Sequence, residues 1–224
     1  MRFNVVMRYV GVAMLFIAAF MFLSACISYI NGRDSAYYPL LLSSLLTALL
    51  GAFPLIFVER KEQITNKEGY CIVVGAWLVA CVVGMFPYLI WGGEFSLINA
   101  WFESVSGFTT TGSSILTDVE ALPRGLMFWR MSSTWIGGMG VFVFIMAILP
   151  MMGGSTMNLM RAESPGPSVS KLVPRVRDTA KILYGLYMAI TVLGVIMLCL
   201  CGMPLFDSPV SYTHLRAHET PEHL

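Results

Sequence analysis

Charged residues are scarce in this sequence. Asp, Glu, Lys and Arg make up 12% of its 224 residues, about half the share of roughly 25% found in soluble proteins. Hydrophobic residues make up 57%, and the mean hydropathy is +0.73. So little charge cannot cover a surface that faces water, so lipid is the expected solvent. The net charge of +1 excludes a nucleic-acid binder that works by bulk charge.

Cysteine and histidine are also few. The five cysteines all lie in apolar stretches without a CxxC pair, so neither a disulfide framework nor a metal site is expected. Apart from Glu103, the apolar stretches contain no Asp, Glu or His. An intramembrane enzyme needs such groups in its spans. The sequence therefore predicts a protein that is not an enzyme and has no cofactor.

Five uncharged stretches of at least 24 residues are present. About 20 apolar residues cross a bilayer as a helix, and lipid offers the backbone no other hydrogen-bond partner. We therefore predict an all-α membrane protein. Its five transmembrane helices are expected at about 9–30, 38–58, 70–91, 126–149 and 180–202.

Basic residues are distributed unevenly between the two sides of these spans. The side of the N-terminus has ten: Arg2, Arg8, Arg60, Lys61, Lys67, Arg161, Lys171, Arg175, Arg177 and Lys181. The other side has three, namely Arg33, Arg124 and Arg130, when the C-terminal tail is left aside. The positive-inside rule then predicts a multi-pass membrane protein with a cytoplasmic N-terminus. We expect its location to be the cell (inner) membrane. The first apolar run is longer than the core of a signal peptide, so an uncleaved helix is expected there.

A shorter apolar segment lies between Glu94 and Asp118. Residues 104–117 are uncharged over only 14 positions, which is too short to cross a bilayer. The string Thr109-Thr110-Thr111-Gly112 disfavours a helix because three β-branched residues precede a glycine. We predict a short re-entrant helix at about 96–107 that enters from outside, followed by an extended strand. The alternative is an ordinary outer loop with a Ser/Thr-rich turn.

A strand of this composition could bind a cation inside a membrane. Irregular backbone at membrane depth is tolerated only inside protein or along a watery path. Its carbonyl oxygens can replace the hydration shell of a monovalent cation. The negative end of the short helix favours a cation near the membrane centre, and Asp118 and Glu120 follow on the outer side. A cation filter is therefore predicted over this strand.

Glu103 and Arg130 are the ionisable residues nearest to this segment. A charge inside a membrane is costly and requires a partner. One hypothesis is that the two side chains pair and hold the short helix against the fourth span. The other is that each reaches outer water separately.

Several sequence segments resemble those of a known family, the TrkH-type potassium uptake proteins. The resemblance extends over about residues 1–208. The strings that carry the resemblance are Phe102-Glu103-Ser104-Val105-Ser106-Gly107-Phe108-Thr109-Thr110-Thr111-Gly112, Trp129-Arg130, Trp135-Ile136-Gly137-Gly138-Met139-Gly140, Ala147-Ile148-Leu149-Pro150, Arg161-Ala162-Glu163-Ser164-Pro165-Gly166-Pro167 and Pro174-Arg175. The resemblance implies four repeats of outer helix, pore helix, filter strand and inner helix, with an additional helix pair before them.

The resemblance also implies a domain organisation for this chain. Residues 1–60 correspond to the additional helix pair and 61–150 to the first pore repeat. Residues 151–179 correspond to a cytoplasmic loop, and 180–208 to the first helix of the second repeat. Partners implied are membrane lipid, a second copy of the full-length protein in a homodimer, and a TrkA-like cytoplasmic nucleotide-binding regulatory subunit.

The implied function is K⁺ uptake, with K⁺ as the transported ion rather than a cofactor. The implied filter residues are Thr110 and Thr111, which match ion-contacting threonines of the family, together with Gly112 and Ser113. Gly at the position of Gly112 accompanies K⁺ preference in this family, which implies K⁺ as the ion. No metal site other than this K⁺ filter is expected.

The C-terminal segment departs from the family pattern. A second pore helix is expected after Ser208, but residues 209–224 are polar, and we interpret them as a non-native tail of an N-terminal fragment. One chain supplies one filter strand, whereas a pore needs four. Two alternatives to the four-repeat interpretation therefore remain, namely a subunit of a simple tetrameric cation channel and a non-transporting membrane scaffold.

Overall fold

The computed structural model describes residues 3–58, 66–116, 121–148 and 176–201. These residues form seven α-helices, and no β-strand occurs among them. The helices are α1 Phe3–Ile30, α2 Tyr37–Phe57, α3 Asn66–Gly84, α4 Phe86–Trp91, α5 Leu97–Phe108, α6 Arg124–Ile148 and α7 Val176–Leu200. The predicted all-α class is confirmed.

Each of the five predicted spans corresponds to helix in the structure. Among the described residues, four segments are long and apolar enough to cross a membrane, namely Phe3–Ile30, Tyr37–Phe57, Glu68–Trp91 and Ile182–Leu200. The predicted fourth span is α6, a helix of 25 residues with no charged residue after Arg130. Most of the predicted loop 151–179 and all of the predicted tail 209–224 lie outside the described residues.

The third span consists of two helices, α3 and α4, which meet at Met85. Pro87 lies in the first turn of α4, where its missing N–H costs least, but it cannot continue α3. The interruption leaves the Gly84 carbonyl oxygen available, and the Trp129 indole N–H donates to it at 3.2 Å. Trp129 is fully buried. This contact joins the interruption in the third span to α6.

The helices α1 and α2 pack closely through two glycines. A Cβ atom on Gly11 would lie 2.6 Å from the Gly51 carbonyl oxygen, and one on Gly51 would lie 2.8 Å from the Gly11 carbonyl oxygen. Small residues at a helix crossing allow such approach in membranes. Near the same crossing, the Arg8 guanidinium donates to the carbonyl oxygens of Leu55 (3.0 Å) and Val58. Arg8 thus satisfies carbonyl groups at the C-terminus of α2.

We expect Gly51→Ala to destabilise the helix pair. The added methyl group meets main-chain atoms of α1, which cannot move independently, and overpacking of this kind costs about 1–3 kcal/mol. Gly185→Ala in α7 is the matched control, because a Cβ atom there meets nothing within 4 Å. Thermal unfolding in detergent measures the difference. Equal stability of the two variants would contradict the close packing.

The loop between α1 and α2 holds the start of α6. The Asp34 carboxylate accepts hydrogen bonds from the Ser28 hydroxyl, from the Ala36 N–H (3.1 Å) and from the Gly125 N–H in the first turn of α6 (3.2 Å). A carboxylate at a helix N-terminus satisfies a free N–H and complements the helix dipole. The loop therefore fixes the position where α6 begins.

One buried side chain links α7 to α6. The Tyr187 hydroxyl donates to the Trp135 carbonyl oxygen at 2.9 Å, and the Trp135 indole N–H donates to the Thr191 hydroxyl at 3.4 Å. Tyr187 packs against Gly138, where a larger residue would overlap its hydroxyl group. Most other large apolar side chains of α7 are exposed, as expected for a helix in contact with lipid or with other helices.

Candidate functional site

The site is a helical hairpin formed by α5 and the segment that follows it. The Ser96 hydroxyl begins α5 by accepting a hydrogen bond from the Asn99 N–H at 3.3 Å, which is a typical N-cap. The buried side of α5 is largely polar or small, with Glu103, Ser104, Ser106 and Gly107. The Ser104 hydroxyl donates to the Cys81 carbonyl oxygen of α3 at 2.7 Å.

The end of α5 lies halfway along α6. A Cβ atom on Gly137 would lie 2.7 Å from the Phe108 carbonyl carbon and 2.9 Å from its Cα atom, so the two backbones are in direct contact. Gly137 lies roughly 20 Å along α6 from Arg124, because a helix rises by about 1.5 Å per residue. If α6 crosses a bilayer core of about 30 Å, the tip of α5 reaches its middle.

A left-handed threonine ends α5. The Thr110 N–H donates to the Gly107 carbonyl oxygen and the Thr111 N–H donates to the Ser106 carbonyl oxygen, both at 3.0 Å. These two bonds define a Schellman motif, whose left-handed position is usually glycine. Here it is Thr110 with φ of 57°, an outlier conformation for a β-branched residue. Backbone strain of this kind is found at functional sites, where the surrounding structure enforces it.

The chain then returns along α5 in the opposite direction. Residues 111–116 form neither helix nor β-strand, so the predicted strand is an irregular segment that pairs with side chains of a helix instead of with another strand. The Ser106 hydroxyl donates to the Ser113 carbonyl oxygen at 2.5 Å. Farther on, the Glu103 carboxylate accepts from the Ser114 hydroxyl at 3.1 Å and from the Ile115 N–H at 3.3 Å. We call residues 111–116 the return limb.

Glu103 and Arg130 form an ion pair beside the return limb. The Arg130 Nε atom lies 2.6 Å from Glu103 Oε1, and the exposed fractions of the two side chains are 9% and 1%. The Arg130 Nη2 atom also lies 3.4 Å from the Gly112 carbonyl oxygen. The structure thus shows the paired arrangement and not separate exposure to water. Because Glu103 belongs to α5 and Arg130 to α6, the pair joins the hairpin to α6.

The carbonyl groups nearest the tip of the hairpin have a different environment. Within the described part of the chain, no group donates a hydrogen bond to the carbonyl oxygens of Thr110 and Thr111. The hydroxyls of Thr109 and Thr111 lie 2.8 Å apart, and both residues are exposed. Oxygen atoms with unused lone pairs at a helix C-terminus can coordinate a dehydrated monovalent cation.

All six site residues predicted from the sequence lie in the hairpin or in contact with it, namely Glu103, Thr110, Thr111, Gly112, Ser113 and Arg130. Thr110 and Thr111 are nearest the tip, and Gly112 and Ser113 lie farther along the return limb. Sequence reasoning missed Ser106 and Ser114 as hydrogen-bonding partners. Ser106 follows Glu103 by three positions, so the two share a helix face, and this spacing was an available signal. The left-handed conformation of Thr110 had no signal in the sequence, because glycine is the residue that usually adopts it, as Gly112 does here with φ of 82°.

Comparisons with known proteins agree with this architecture. The family model TrkH, described as a cation transport protein, matches residues 41–214. The Trk system potassium uptake protein TrkH of Salmonella typhimurium is 35% identical over 212 residues, which cover 93% of this chain and 44% of that protein. The Trk system potassium uptake protein TrkG of Escherichia coli is 39% identical over 149 residues, covering 65% of this chain and 30% of that protein.

A solved structure shows the same fold. The crystal structure of the potassium transporter TrkH from Vibrio parahaemolyticus matches 95% of this chain and 42% of that chain, with a TM-score of 0.77 and 28% identity. The present chain thus spans less than half the length of these relatives. Because the family model covers more than half of the sequence, the chain belongs to the TrkH family of cation transport proteins.

Proposed function

We propose that this chain is part of a K⁺ uptake protein and that its hairpin supplies one quarter of a K⁺ filter. The observation that carries the proposal is the hairpin itself, whose tip meets the middle of α6 and whose Thr110 and Thr111 carbonyl oxygens accept no hydrogen bond from the described residues. The names of the relatives support K⁺ as the ion. The ion ligands in this proposal are Thr110, Thr111, Gly112 and Ser113.

The proposed setting is the inner membrane, with the N-terminus in the cytoplasm. The uneven distribution of basic residues supports this orientation. The hairpin then enters from the outer side. K⁺ is a transported ion in this mechanism, and the protein performs no covalent chemistry.

Two protein partners belong to the same proposal. The family resemblance supports a homodimer of the full-length protein and a TrkA-like cytoplasmic nucleotide-binding subunit. The words "Trk system" in the names of the relatives are consistent with a multi-component system. The basic segment 151–179 is the proposed contact for the regulatory subunit.

K⁺ uptake by the complete reading frame that encodes this chain tests the proposed function. Expression in a bacterium without its own K⁺ uptake systems is expected to restore growth at low K⁺ concentration, together with K⁺ accumulation measured by flame photometry. A well-expressed, membrane-inserted protein that accumulates no K⁺ would overturn the proposal. The same reading frame discriminates the tetrameric alternative, because a four-repeat protein carries three further hairpins behind short apolar segments.

We expect Gly112→Ser to raise Na⁺ passage relative to K⁺ passage. The φ of Gly112 is 82°, and a left-handed conformation costs a non-glycine residue roughly 1–2 kcal/mol. The return limb should therefore relax and change its carbonyl positions. Because about 1.4 kcal/mol corresponds to a tenfold ratio, the K⁺/Na⁺ uptake ratio should fall by roughly an order of magnitude.

Gly92→Ser is the matched control for this substitution. Gly92 has φ of 77°, and a Cβ atom there meets nothing within 4 Å, so the exchange imposes similar backbone strain outside the hairpin. The K⁺/Na⁺ ratio of this control should stay at the wild-type value. Equal ratios in both variants would count against Gly112 as a filter residue.

A further inference from the structure

Two side chains donate hydrogen bonds to carbonyl oxygens of the return limb. The Ser106 hydroxyl donates to Ser113 at 2.5 Å, and the Arg130 guanidinium lies within 3.4 Å of the Gly112 oxygen. Both side chains are buried. They come from different helices, α5 and α6, and reach successive carbonyl groups.

A hydrogen bond to a carbonyl oxygen restricts the rotation of the peptide plane that carries it. The Gly112 peptide has unusual freedom, since glycine adopts positive and negative φ with similar ease. An ion filter requires its oxygen atoms at fixed positions, because the energetic difference between K⁺ and Na⁺ depends on cavity size and on the number and strength of the carbonyl dipoles. Restraint of these two peptides therefore has a direct consequence for ion choice.

The donor to the Gly112 carbonyl oxygen is itself fixed. Arg130 pairs with Glu103 at 2.6 Å, and Glu103 accepts two further hydrogen bonds from the return limb, from Ser114 and from the Ile115 N–H. A guanidinium presents several donors in a rigid plane, so one edge can bind the carboxylate while another nitrogen reaches Gly112. A lysine ammonium carries all its donors on one nitrogen, so it cannot span both contacts as the guanidinium does.

We propose that Ser106 and Arg130 are positioning residues for ion selectivity, which act by fixing the orientation of the Ser113 and Gly112 carbonyl groups. The inference rests on the proposed K⁺ uptake. Neither side chain contacts the ion. Removing either donor leaves the ion ligands in place but widens the range of positions that their oxygen atoms occupy.

Ser106→Ala in the complete protein tests the proposal with a minimal change. One hydrogen bond shifts a conformational equilibrium by about fivefold. Its loss is therefore expected to lower the K⁺/Na⁺ uptake ratio by roughly fivefold. The maximal K⁺ uptake rate should change less than this ratio. Ser106→Thr keeps the hydroxyl and should restore the wild-type ratio.

Ser104→Ala is the matched control. Ser104 lies on the same helix, is buried, and donates to a carbonyl oxygen at 2.7 Å, but that carbonyl belongs to Cys81 in α3. A similar loss of selectivity in Ser104→Ala and Ser106→Ala would show a merely structural role and overturn the proposal. An unchanged ratio in Ser106→Ala would overturn it as well.

Arg130→Lys gives a second, independent test. It preserves the charge beside Glu103 and is expected to lower the K⁺/Na⁺ ratio by roughly fivefold through loss of the contact with Gly112. Arg124→Lys, the same exchange at the start of α6, should leave the ratio unchanged. If Arg130→Lys proves too unstable to measure, the Ser106 series alone decides. Absence of K⁺ uptake by the wild-type protein would instead refute the proposed function.

Discussion

Glu103→Gln is expected to destabilise the protein strongly. The substitution leaves the Arg130 guanidinium buried beside a neutral amide, and breaking a buried pair by removing one partner costs about 3–5 kcal/mol. It also weakens the acceptor for Ser114 and for the Ile115 N–H, so the return limb should loosen in addition. The expected result is a large fall in the midpoint of thermal unfolding in detergent, accompanied by loss of K⁺ uptake by the complete protein.

Combining Glu103→Gln with Arg130→Met reveals whether the two residues act as a unit. Since the double variant removes both charges of the pair, it should be no less stable than either single variant. Strictly additive losses would argue against a pair. Glu94→Gln, in the exposed turn before α5, makes the same chemical change without a buried partner. This control is expected to unfold like the wild type.

The positions of the spans could be predicted from the sequence because lipid imposes one dominant constraint. A long uncharged stretch must form a helix at membrane depth, and α2 at Tyr37–Phe57 agrees closely with the predicted 38–58. The short helix was predicted at 96–107 and occurs at Leu97–Phe108, since an apolar segment too short to cross must return. Length and charge together decided these elements.

Tertiary contacts determine the features of the site that the sequence could not predict. The choice between pairing and separate exposure of Glu103 and Arg130 depended on the distance between two helices, which spacing along the chain does not give. The left-handed conformation of Thr110 depends on the Schellman bonds and on the contact between Phe108 and α6. The restraint of the Gly112 and Ser113 carbonyl groups likewise depends on how the return limb packs against α5 and α6.

Gly137→Ala is expected to displace the tip of the hairpin. Its methyl group would overlap the Phe108 carbonyl group, with 2.7 Å to the carbonyl carbon, and neither partner is a flexible side chain that can move aside. Overpacking against backbone costs about 1–3 kcal/mol. At about 1.4 kcal/mol per tenfold ratio, the native position of Thr110 and Thr111 should become populated roughly tenfold less, and K⁺ uptake should fall accordingly.

Gly140→Ala separates this contact from a general effect of glycine in α6. A Cβ atom at Gly140 would come no closer than 3.4 Å, to the ring of Trp77, which is ordinary van der Waals contact. Alanine also stabilises a helix by about 1 kcal/mol relative to glycine. The control should therefore be at least as stable as the wild type and should transport K⁺ normally. If both variants lose uptake equally, α6 needs flexible glycines and the hairpin contact is not the cause. If both retain it, Phe108 does not touch α6 in the working protein, and the hairpin cannot reach the middle of the membrane as described.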